Sequence, residues 1–194
     1  MLTSIVKRAD LSEAFGGEVK IIAVECTEKV GAELSDLLKK NISFFDNGLG
    51  DNFTIEKDER GKPYINGRCG YKHVSVSHSE KLFVCAFSKN RAIGIDAEGL
   101  KRNVPYDTVT RLMSRFFTTA EREHLIAFSA SAVFYTEEFL RMWTKKEAYV
   151  KMTGDGLSGL SRADTERIND ARIIMREIET EDGEFLVSIC LSEK

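Results

Sequence analysis

LFVCAFSKNRAIGIDAE, residues 82–98, contains two strand-like segments around a short turn sequence. The unbroken apolar run at 82–87 is typical of a buried strand. Ser88-Lys89-Asn90 is a turn sequence, and it leads into a second strand-like segment at 91–97. The stretch therefore predicts a β-hairpin in the middle of the chain.

The sequence on either side of this hairpin changes from strand to helix and back to strand. Before it, apolar patterning predicts three strands and one helix, with the strands at 19–24, 53–57 and 73–77 and the helix at 29–42. After it, the pattern predicts three helices and then two strands, with the helices at 108–116, 119–128 and 136–152 and the strands at 171–178 and 184–191. This order predicts an α+β protein.

Composition excludes several classes of protein. A length of 194 residues suits one domain or two small halves, and a formal charge of −3 excludes a generally basic nucleic-acid-binding surface. The sequence has no apolar run long enough for a spanning helix and no secretory signal, so we expect a cytoplasmic protein without a membrane or nucleic-acid partner. Four cysteines without a C-x-x-C pair predict reduced thiols rather than disulfides or a zinc site: Cys26, Cys69, Cys85 and Cys190.

Two carboxylates lie close together in Gly94-Ile95-Asp96-Ala97-Glu98. Because side chains alternate along a strand, Gly94, Asp96 and Glu98 would share one face. Neighbouring carboxylates repel each other unless a cation lies between them, and oxygen ligands suit Mg²⁺. The alternative is a solvated strand end that turns at Glu98-Gly99.

A second acidic position lies on a predicted helix, within Trp143-Thr144-Lys145-Lys146-Glu147-Ala148-Tyr149-Val150-Lys151. Glu147 and Lys151 continue the stripe formed by Leu140 and Trp143, so they extend a face that ought to be buried. The alternative is an ordinary exposed Glu–Lys pair, which contributes about 0.3–0.5 kcal/mol. The residues alone leave both interpretations open.

Two shorter segments could bind anions. Ser75-Val76-Ser77-His78-Ser79 offers hydroxyls, amides and an imidazole that can hold a phosphate, and the alternatives are a polar loop or a Ser–His hydrolase. The sequence has no G-x-S-x-G elbow, which argues against the hydrolase. Gly61-Lys62-Pro63 predicts a turn with one projecting cation, for which a solvated lysine is the alternative.

Taken together, five segments resemble the 4′-phosphopantetheinyl transferases of the surfactin-synthetase-activating type. In chain order they are GKP at 61–63, VSHS at 76–79, GIDAE at 94–98, FFTTAE at 116–121 and WTKKEAYVK at 143–151. The resemblance covers about residues 59–160. It implies a fold of two similar α/β halves related by a pseudo-two-fold, with the active site in the cleft between them, in a monomeric protein. We place the halves at 1–90, shortened and atypical, and 91–194, which carries the metal-binding carboxylates.

The resemblance implies transfer of the 4′-phosphopantetheine arm of coenzyme A to a serine of an apo acyl or peptidyl carrier protein, with release of adenosine 3′,5′-bisphosphate. Such enzymes serve fatty acid, polyketide and nonribosomal peptide biosynthesis. The positions that match the family's Mg²⁺ ligands, for which Mn²⁺ is an alternative metal, are Asp96, Glu98 and Glu147. The positions that match its coenzyme-binding residues are Lys62, Ser77, His78 and Lys151.

The chemistry of this transfer suggests catalytic roles for two of these residues. Glu147 is expected to be the base that removes the serine proton, directly or through a metal-bound water, and Lys151 is expected to stabilise or protonate the leaving bisphosphate. Glu121 matches a family acidic residue beside the metal site. The family's N-terminal helix carries an arginine that grips the 3′-phosphate of the coenzyme, but residues 28–40 contain no arginine. The resemblance therefore assigns no residue of this chain to that grip, and the alternatives left open are Lys29, Lys39 and Lys40.

Charge is distributed unevenly along the chain. Residues 101–122 contain five basic and two acidic side chains, which suits docking of an acidic carrier protein, and a solvated helix is the alternative. Residues 177–194 contain six acidic side chains and one basic side chain, so this segment should repel such a partner. Two rival functions remain, a magnesium-dependent hydrolase of phosphoanhydrides and a non-catalytic protein that binds carrier or coenzyme.

Overall fold

The computed structural model describes residues 5–11, 17–27, 29–31 and 52–193. The strands in this part of the chain are β1 (Ile5–Asp10), β2 (Val19–Cys26), β3 (Asn52–Lys57), β4 (Pro63–Arg68), β5 (His73–Ser79), β6 (Leu82–Ser88), β7 (Ile93–Gly99), β8 (Ala171–Thr180) and β9 (Gly183–Ser192). The helices are α1 (Tyr106–Phe116), α2 (Thr119–Ile126), α3 (Ala132–Thr153) and α4 (Leu157–Leu160). This mixture of strands and helices confirms the predicted α+β class.

The described strands form three antiparallel sheets, with the orders β1-β2-β6-β5, β3-β4 and β7-β9-β8. The predicted hairpin between 82–87 and 91–97 is wrong, because its two strands, β6 and β7, belong to different sheets. Strand β6 pairs with β2 on one edge and with β5 on the other. Since both of its edges are filled, the chain after β6 continues into a new sheet, where β7 pairs with β9.

The helices lie close to where the sequence predicts them. Helix α2 begins with a capping box between Thr118 and Glu121, and α3 ends at Gly154, which adopts a left-handed conformation with φ of 79°. Helix α3 begins four residues earlier than predicted. Most of the helix predicted at 29–42 lies outside the described residues. Among the described helices, none has the length and apolar character needed to cross a membrane.

One apolar layer is shared by the two larger sheets. It combines buried side chains from β2, β6, β7 and β9, including Ile21, Val84, Ile95 and Val187. Helix α3 covers β7 and β9, with Ala148 and Met152 packed near Cys190. The shared layer sets β5 beside β7, the strand that carries the predicted carboxylates.

Strands β5 and β7 are connected by side chains instead of a backbone ladder. The buried hydroxyls of Ser75, Ser77 and Ser79, which we call the serine ladder, accept hydrogen bonds from three amides of β7. In order, the donors are the amides of Ile95 (3.0 Å), Ala97 (3.4 Å) and Gly99 (3.2 Å). The two polar segments found in the sequence are therefore strand neighbours.

Candidate active site

Helix α3 approaches β7 at Gly94, and this contact builds the site. A Cβ at Gly94 would lie within 2.5 Å of the Met152 amide nitrogen and closer still to the Ala148 carbonyl oxygen. Only glycine allows the helix backbone to lie this close to the strand. The contact brings Glu147 and Lys151 of α3 beside Asp96 of β7.

Replacing Gly94 by alanine should therefore destabilise the protein. We expect Gly94→Ala to lower the free energy of unfolding by about 1–3 kcal/mol or more, since the added methyl group meets backbone atoms that cannot move independently. Gly99→Ala on the same strand is the control, because a Cβ there would lie 3.6 Å from the nearest atom of Phe185, an ordinary contact. Urea unfolding measures both variants. Equal losses in the two variants would contradict the account of Gly94.

Asp96 is a buried carboxylate paired with Lys151. Its Oδ1 lies 2.7 Å from Lys151 Nζ, and the hydroxyl of Ser77 donates to the same oxygen at 2.8 Å. Lys151 Nζ also donates to Ser77 Oγ at 3.0 Å. The three side chains form a closed triangle, in which one cation balances the charge of Asp96.

Glu98 lies two residues after Asp96 on β7 and on the same face of the strand. Its Oε2 accepts a hydrogen bond of 2.6 Å from Arg102 and lies 3.5 Å from the hydroxyl of Ser79. Burial raises the pKa of Glu98, the charge of Asp96 raises it further, and Arg102 opposes both. Glu98 is thus a partly desolvated carboxylate held by a half-exposed arginine.

Glu147 completes an acidic cluster with Asp96 and Glu98. Burial, together with the charges of Asp96 and Glu98, raises the pKa of Glu147 to about 7, although Lys151 opposes this shift. As the side chains are placed, no three His, Cys, Asp or Glu residues in the described part of the chain lie close enough together to hold a metal ion. The chemistry of the cluster nevertheless fits a divalent cation, because a positive ion between three neighbouring carboxylates would offset the repulsion that helps to raise the pKa of Glu98 and of Glu147.

A cavity of about 340 Å³ opens beside this cluster. It lies between the β3–β4 turn, β5 and the end of α3, and its apolar walls include Val74, Val76, Val150 and Leu160. Its charged lining consists of four cations and one carboxylate, Lys57, Arg60, Lys62, Lys151 and Glu147. In a protein with a net charge of −3, this concentration of positive charge favours an anionic ligand. A larger hollow of about 770 Å³ contains none of these groups, and its Arg91 is paired with Glu18.

The turn between β3 and β4 is shaped by Asp58 and connected to α3 by Lys62. Asp58 Oδ1 accepts hydrogen bonds from the amides of Arg60 and Lys62 at 2.9 and 2.8 Å. Lys62 Nζ donates to the Met152 carbonyl at 3.0 Å, at the negative end of α3. Burial lowers the pKa of Lys62. The lysine predicted as a projecting cation is therefore half-buried and connects the turn to the helix.

The structure brings together only some of the predicted coenzyme-binding residues. Lys62 and Lys151 line the cavity, whereas Ser77 and His78 are not among its lining residues. Ser77 is buried against Asp96, and His78 is exposed on β5. Sequence reasoning missed two cations of the cavity, Lys57 and Arg60, although both lie within five residues of the Gly61-Lys62-Pro63 segment.

Glu121 forms a buried ion pair with Lys146 instead of extending the acidic cluster. Lys146 Nζ lies 2.7 Å from Glu121 Oε2 and 2.9 Å from Oε1, and neither side chain is exposed. Glu121 also accepts hydrogen bonds from Thr165 and from the Thr118 amide. Burial opposes ionisation of Glu121, but these hydrogen bonds outweigh it and lower the pKa of the carboxyl group. The resemblance predicts that Glu121 lies beside the metal site. In the structure its role is instead structural, because Glu121 and its partners connect α2, α3 and residues 163–165.

The fold and the site define a mixed α/β protein in which carboxylates and lysines meet at a cationic cavity. A sequence profile described as the 4′-phosphopantetheinyl transferase superfamily matches residues 92–192. Because this match covers more than half of the chain, the protein belongs to that superfamily.

Three curated relatives carry the same family name. The chain is 37% identical over 108 residues to 4′-phosphopantetheinyl transferase HetI of Nostoc sp., a match that covers 55% of this chain and 44% of the relative. It is 30% identical over 121 residues to 4′-phosphopantetheinyl transferase gsp of Aneurinibacillus migulanus, covering 62% and 46%. It is 34% identical over 100 residues to 4′-phosphopantetheinyl transferase Sfp of Bacillus subtilis, covering 52% and 41%. The chain thus spans less than half the length of these relatives, and its likeness is to the Sfp type that the sequence resembles.

Proposed function

We propose that this protein transfers the 4′-phosphopantetheine arm of coenzyme A to a serine hydroxyl of an apo acyl or peptidyl carrier protein. The observation that carries the proposal is the convergence of Glu147, Lys151 and Lys62 on one cationic cavity, in a member of this superfamily. The second product is adenosine 3′,5′-bisphosphate. The nucleophile belongs to the partner, so the site needs no serine nucleophile of its own.

The cavity suits coenzyme A in both charge and polarity. Coenzyme A carries a pyrophosphate and a 3′-phosphate, and four cations line the cavity. Lys151 lies beside the carboxylates, where the reacting phosphorus must be. Lys57 and Arg60 line the cavity from the end of β3 and the β3–β4 turn, and among the described residues neither side chain has an ion-pair partner. We assign them to the 3′-phosphate, the group for which the family resemblance supplies no residue.

Removal of these two cations should reduce discrimination between coenzyme A and 3′-dephospho-coenzyme A. We expect Lys57→Met/Arg60→Met to weaken coenzyme A binding roughly tenfold or more, because charged hydrogen bonds to the 3′-phosphate are lost, and to leave the dephospho form nearly unchanged. Calorimetric titration without carrier protein measures both affinities. Arg176→Met, on exposed β8, is the control. Equal losses for the two ligands would contradict the assignment.

Asp96, Glu98 and Glu147 are the residues that would hold Mg²⁺, or Mn²⁺ in its place. Asp96 and Glu98 are turned towards Lys151 and Arg102, so metal binding requires them to exchange these partners. A bound ion would neutralise charge on the pyrophosphate. Lys151, released from Asp96, would then be available to the phosphate oxygens.

Glu147 and Lys151 supply the proton transfer and the charge stabilisation. The carboxylate of Glu147, which lines the cavity beside Lys151, can accept the proton of a serine hydroxyl. The serine oxygen forms a bond to the β-phosphorus as the bond from that phosphorus to the bisphosphate oxygen breaks. Lys151 stabilises the charge that develops on the leaving group.

An acidic carrier protein would dock on the positive segment 101–122. Lys101, Arg111 and Arg115 are exposed along α1 and the residues before it, whereas Arg102 is paired with Glu98 of the site. The β8–β9 turn at 181–182 is acidic and would repel such a partner. This arrangement supports an approach over α1, towards the carboxylate cluster.

We further propose that the chain acts as a cytoplasmic monomer built of halves at 1–90 and 91–194. One observation supports the division into halves, and another supports the compartment. The four-stranded sheet comes entirely from strands before residue 90, and the three-stranded sheet comes from strands after it. All four cysteines are free thiols, as expected for a reducing compartment.

Product release tests the reaction against its rivals. Adenosine 3′,5′-bisphosphate should appear, by chromatography, only when coenzyme A is incubated with an apo carrier that retains its serine. A carrier with that serine replaced by alanine is the control and should give no product. Cleavage of coenzyme A without carrier would overturn the proposal in favour of a hydrolase, and an inert coenzyme with every carrier would favour a binding protein.

A further inference from the structure

The serine ladder does more than connect two strands, because its hydroxyls have protons to donate as well as oxygens that accept. Each ladder serine accepts one hydrogen bond from an amide of β7. The same hydroxyl carries one O–H donor, which needs its own acceptor when the side chain is buried. The acceptor of this O–H group is therefore the side chain that the serine can hold in a fixed orientation.

At Ser77 the acceptor is Asp96. The hydroxyl accepts from the Ala97 amide and donates to Asp96 Oδ1 at 2.8 Å, so one serine binds both the backbone and the side chain of neighbouring residues on β7. Ser77 is buried, with only 7% of the residue exposed. Ser77 also contacts Lys151, which adds a second possible effect to any substitution there.

At Ser79 the arrangement repeats two residues further on. The hydroxyl accepts from the Gly99 amide at 3.2 Å, and its oxygen lies 3.5 Å from Glu98 Oε2. Ser79 is as buried as Ser77. It has no contact with Lys151 among the hydrogen bonds of the described residues, so it isolates the contribution of the ladder to Glu98.

Ser75 provides the internal comparison. Its hydroxyl accepts from the Ile95 amide at 3.0 Å, as the register of the ladder requires. The β7 residue before Ile95 is Gly94, which has no side chain to receive the proton of the serine. Ser75 therefore shares the strand-joining role of the ladder but holds no carboxylate.

We propose that Ser77 and Ser79 are positioning residues that orient Asp96 and Glu98 for metal binding, whereas Ser75, which also lines the cavity, joins the strands without a hydrogen bond to a carboxylate among the described residues. This inference rests on the metal site of the proposed function. An outer hydrogen-bond partner of a metal ligand fixes the ligand's orientation, and its loss weakens metal binding by roughly 10–100-fold. Both strands place the residues concerned two apart. Ser75, Ser77 and Ser79 of β5 therefore face Gly94, Asp96 and Glu98 of β7 one to one.

The test is Mn²⁺ binding to the protein without coenzyme or carrier. Electron paramagnetic resonance measures the concentration of free Mn²⁺ during the titration. We expect Ser79→Ala to weaken Mn²⁺ binding roughly tenfold or more, and Ser75→Ala to leave the affinity within about twofold of wild type. Urea unfolding of the same variants separates the two roles. Both substitutions remove an acceptor from a buried β7 amide, so both should lower the free energy of unfolding to a similar extent.

The outcomes are distinguishable. Unequal Mn²⁺ affinities with similar losses of stability would support the positioning role. Equal Mn²⁺ affinities in Ser75→Ala and Ser79→Ala would overturn it while leaving the proposed function intact. A wild-type protein that does not bind Mn²⁺ would overturn the metal site itself and the inference with it. Ser79→Thr, which retains a hydroxyl, should preserve the wild-type affinity if the variant unfolds with wild-type stability.

Discussion

Transfer by Glu147→Gln should fall by roughly 10²–10⁴-fold, the contribution of a positioned acid or base, and further if the metal is lost as well. Glutamine keeps the shape of the side chain but cannot accept the serine proton or supply a negative charge. The measurement is the initial rate of holo-carrier formation with saturating coenzyme A. Glu179→Gln, on exposed β8, makes the same chemical change outside the cluster and should keep the wild-type rate.

The same substitution should not destabilise the protein. Burial and neighbouring carboxylates raise the pKa of Glu147 from 4.5 to about 7, so the folded state disfavours its ionised form. In metal-free wild-type protein, the contribution of Glu147 to stability is therefore fully present below pH 4.5 and is lost as the pH rises through about 7. Glu147→Gln should remove this dependence and be at least as stable as wild type at pH 8. An active or an unfolded Glu147→Gln variant would contradict the role given to this residue.

Lys146→Met should lower the free energy of unfolding by roughly 3–5 kcal/mol, because it leaves the carboxylate of Glu121 buried without its cation. Both side chains are fully buried, and the pair connects α2 with α3. Adding Glu121→Gln to Lys146→Met should recover part of the loss, since no isolated charge then remains. Chemical denaturation of the single and double variants measures this recovery.

An exposed ion pair supplies the control for Lys146. Lys81 lies 2.9 Å from Asp182, but both side chains are about one-third exposed, so Lys81→Met should cost less than about 1 kcal/mol. The pKa of Glu121 is lowered from 4.5, so its contribution is present above pH 4.5 and is lost as the pH falls through the folded value. Similar losses for Lys146→Met and Lys81→Met would contradict the structural role of the buried pair.

Local patterns in the sequence predict which of the candidate site residues share a face of a strand or helix. Alternation along a strand gives Asp96 and Glu98 one face of β7, and helical spacing brings Glu147 and Lys151 to one side of α3. The structure places all four side chains in one cluster. These features depend on neighbours within a few residues, which is the range over which side-chain periodicity carries information.

Long-range pairing is what the sequence does not predict. The apolar run at 82–87 and the strand at 91–97 fit a hairpin locally. In the structure, however, β2 and β5 pair with the two edges of β6, so no edge is left for β7. The serine ladder is also missed, although Ser75–Ser79 and Gly94–Glu98 share the same two-residue period. That period shows which side chains share a face, and only the register between β5 and β7 shows that the two faces meet.

The cations of the cavity illustrate the same limit. Lys57 and Arg60 are unremarkable as part of a charged turn, and they become binding-site candidates only because the turn folds against α3. Lys62 makes that contact through the Met152 carbonyl, 90 residues away in the sequence. Glu121 shows the converse, because its place in a family motif suggests chemistry and its buried partners give it a structural role.

The intact mass of an apo carrier protein shows whether this protein transfers the phosphopantetheine arm. The carrier is incubated with this protein, coenzyme A and Mg²⁺, and a parallel sample contains EDTA. The account predicts a gain of one phosphopantetheine arm that is absent with EDTA and absent with Glu147→Gln. An unchanged mass for fatty acid, polyketide and peptide carriers alike would contradict it, and so would a gain that Glu147→Gln supports at the wild-type rate.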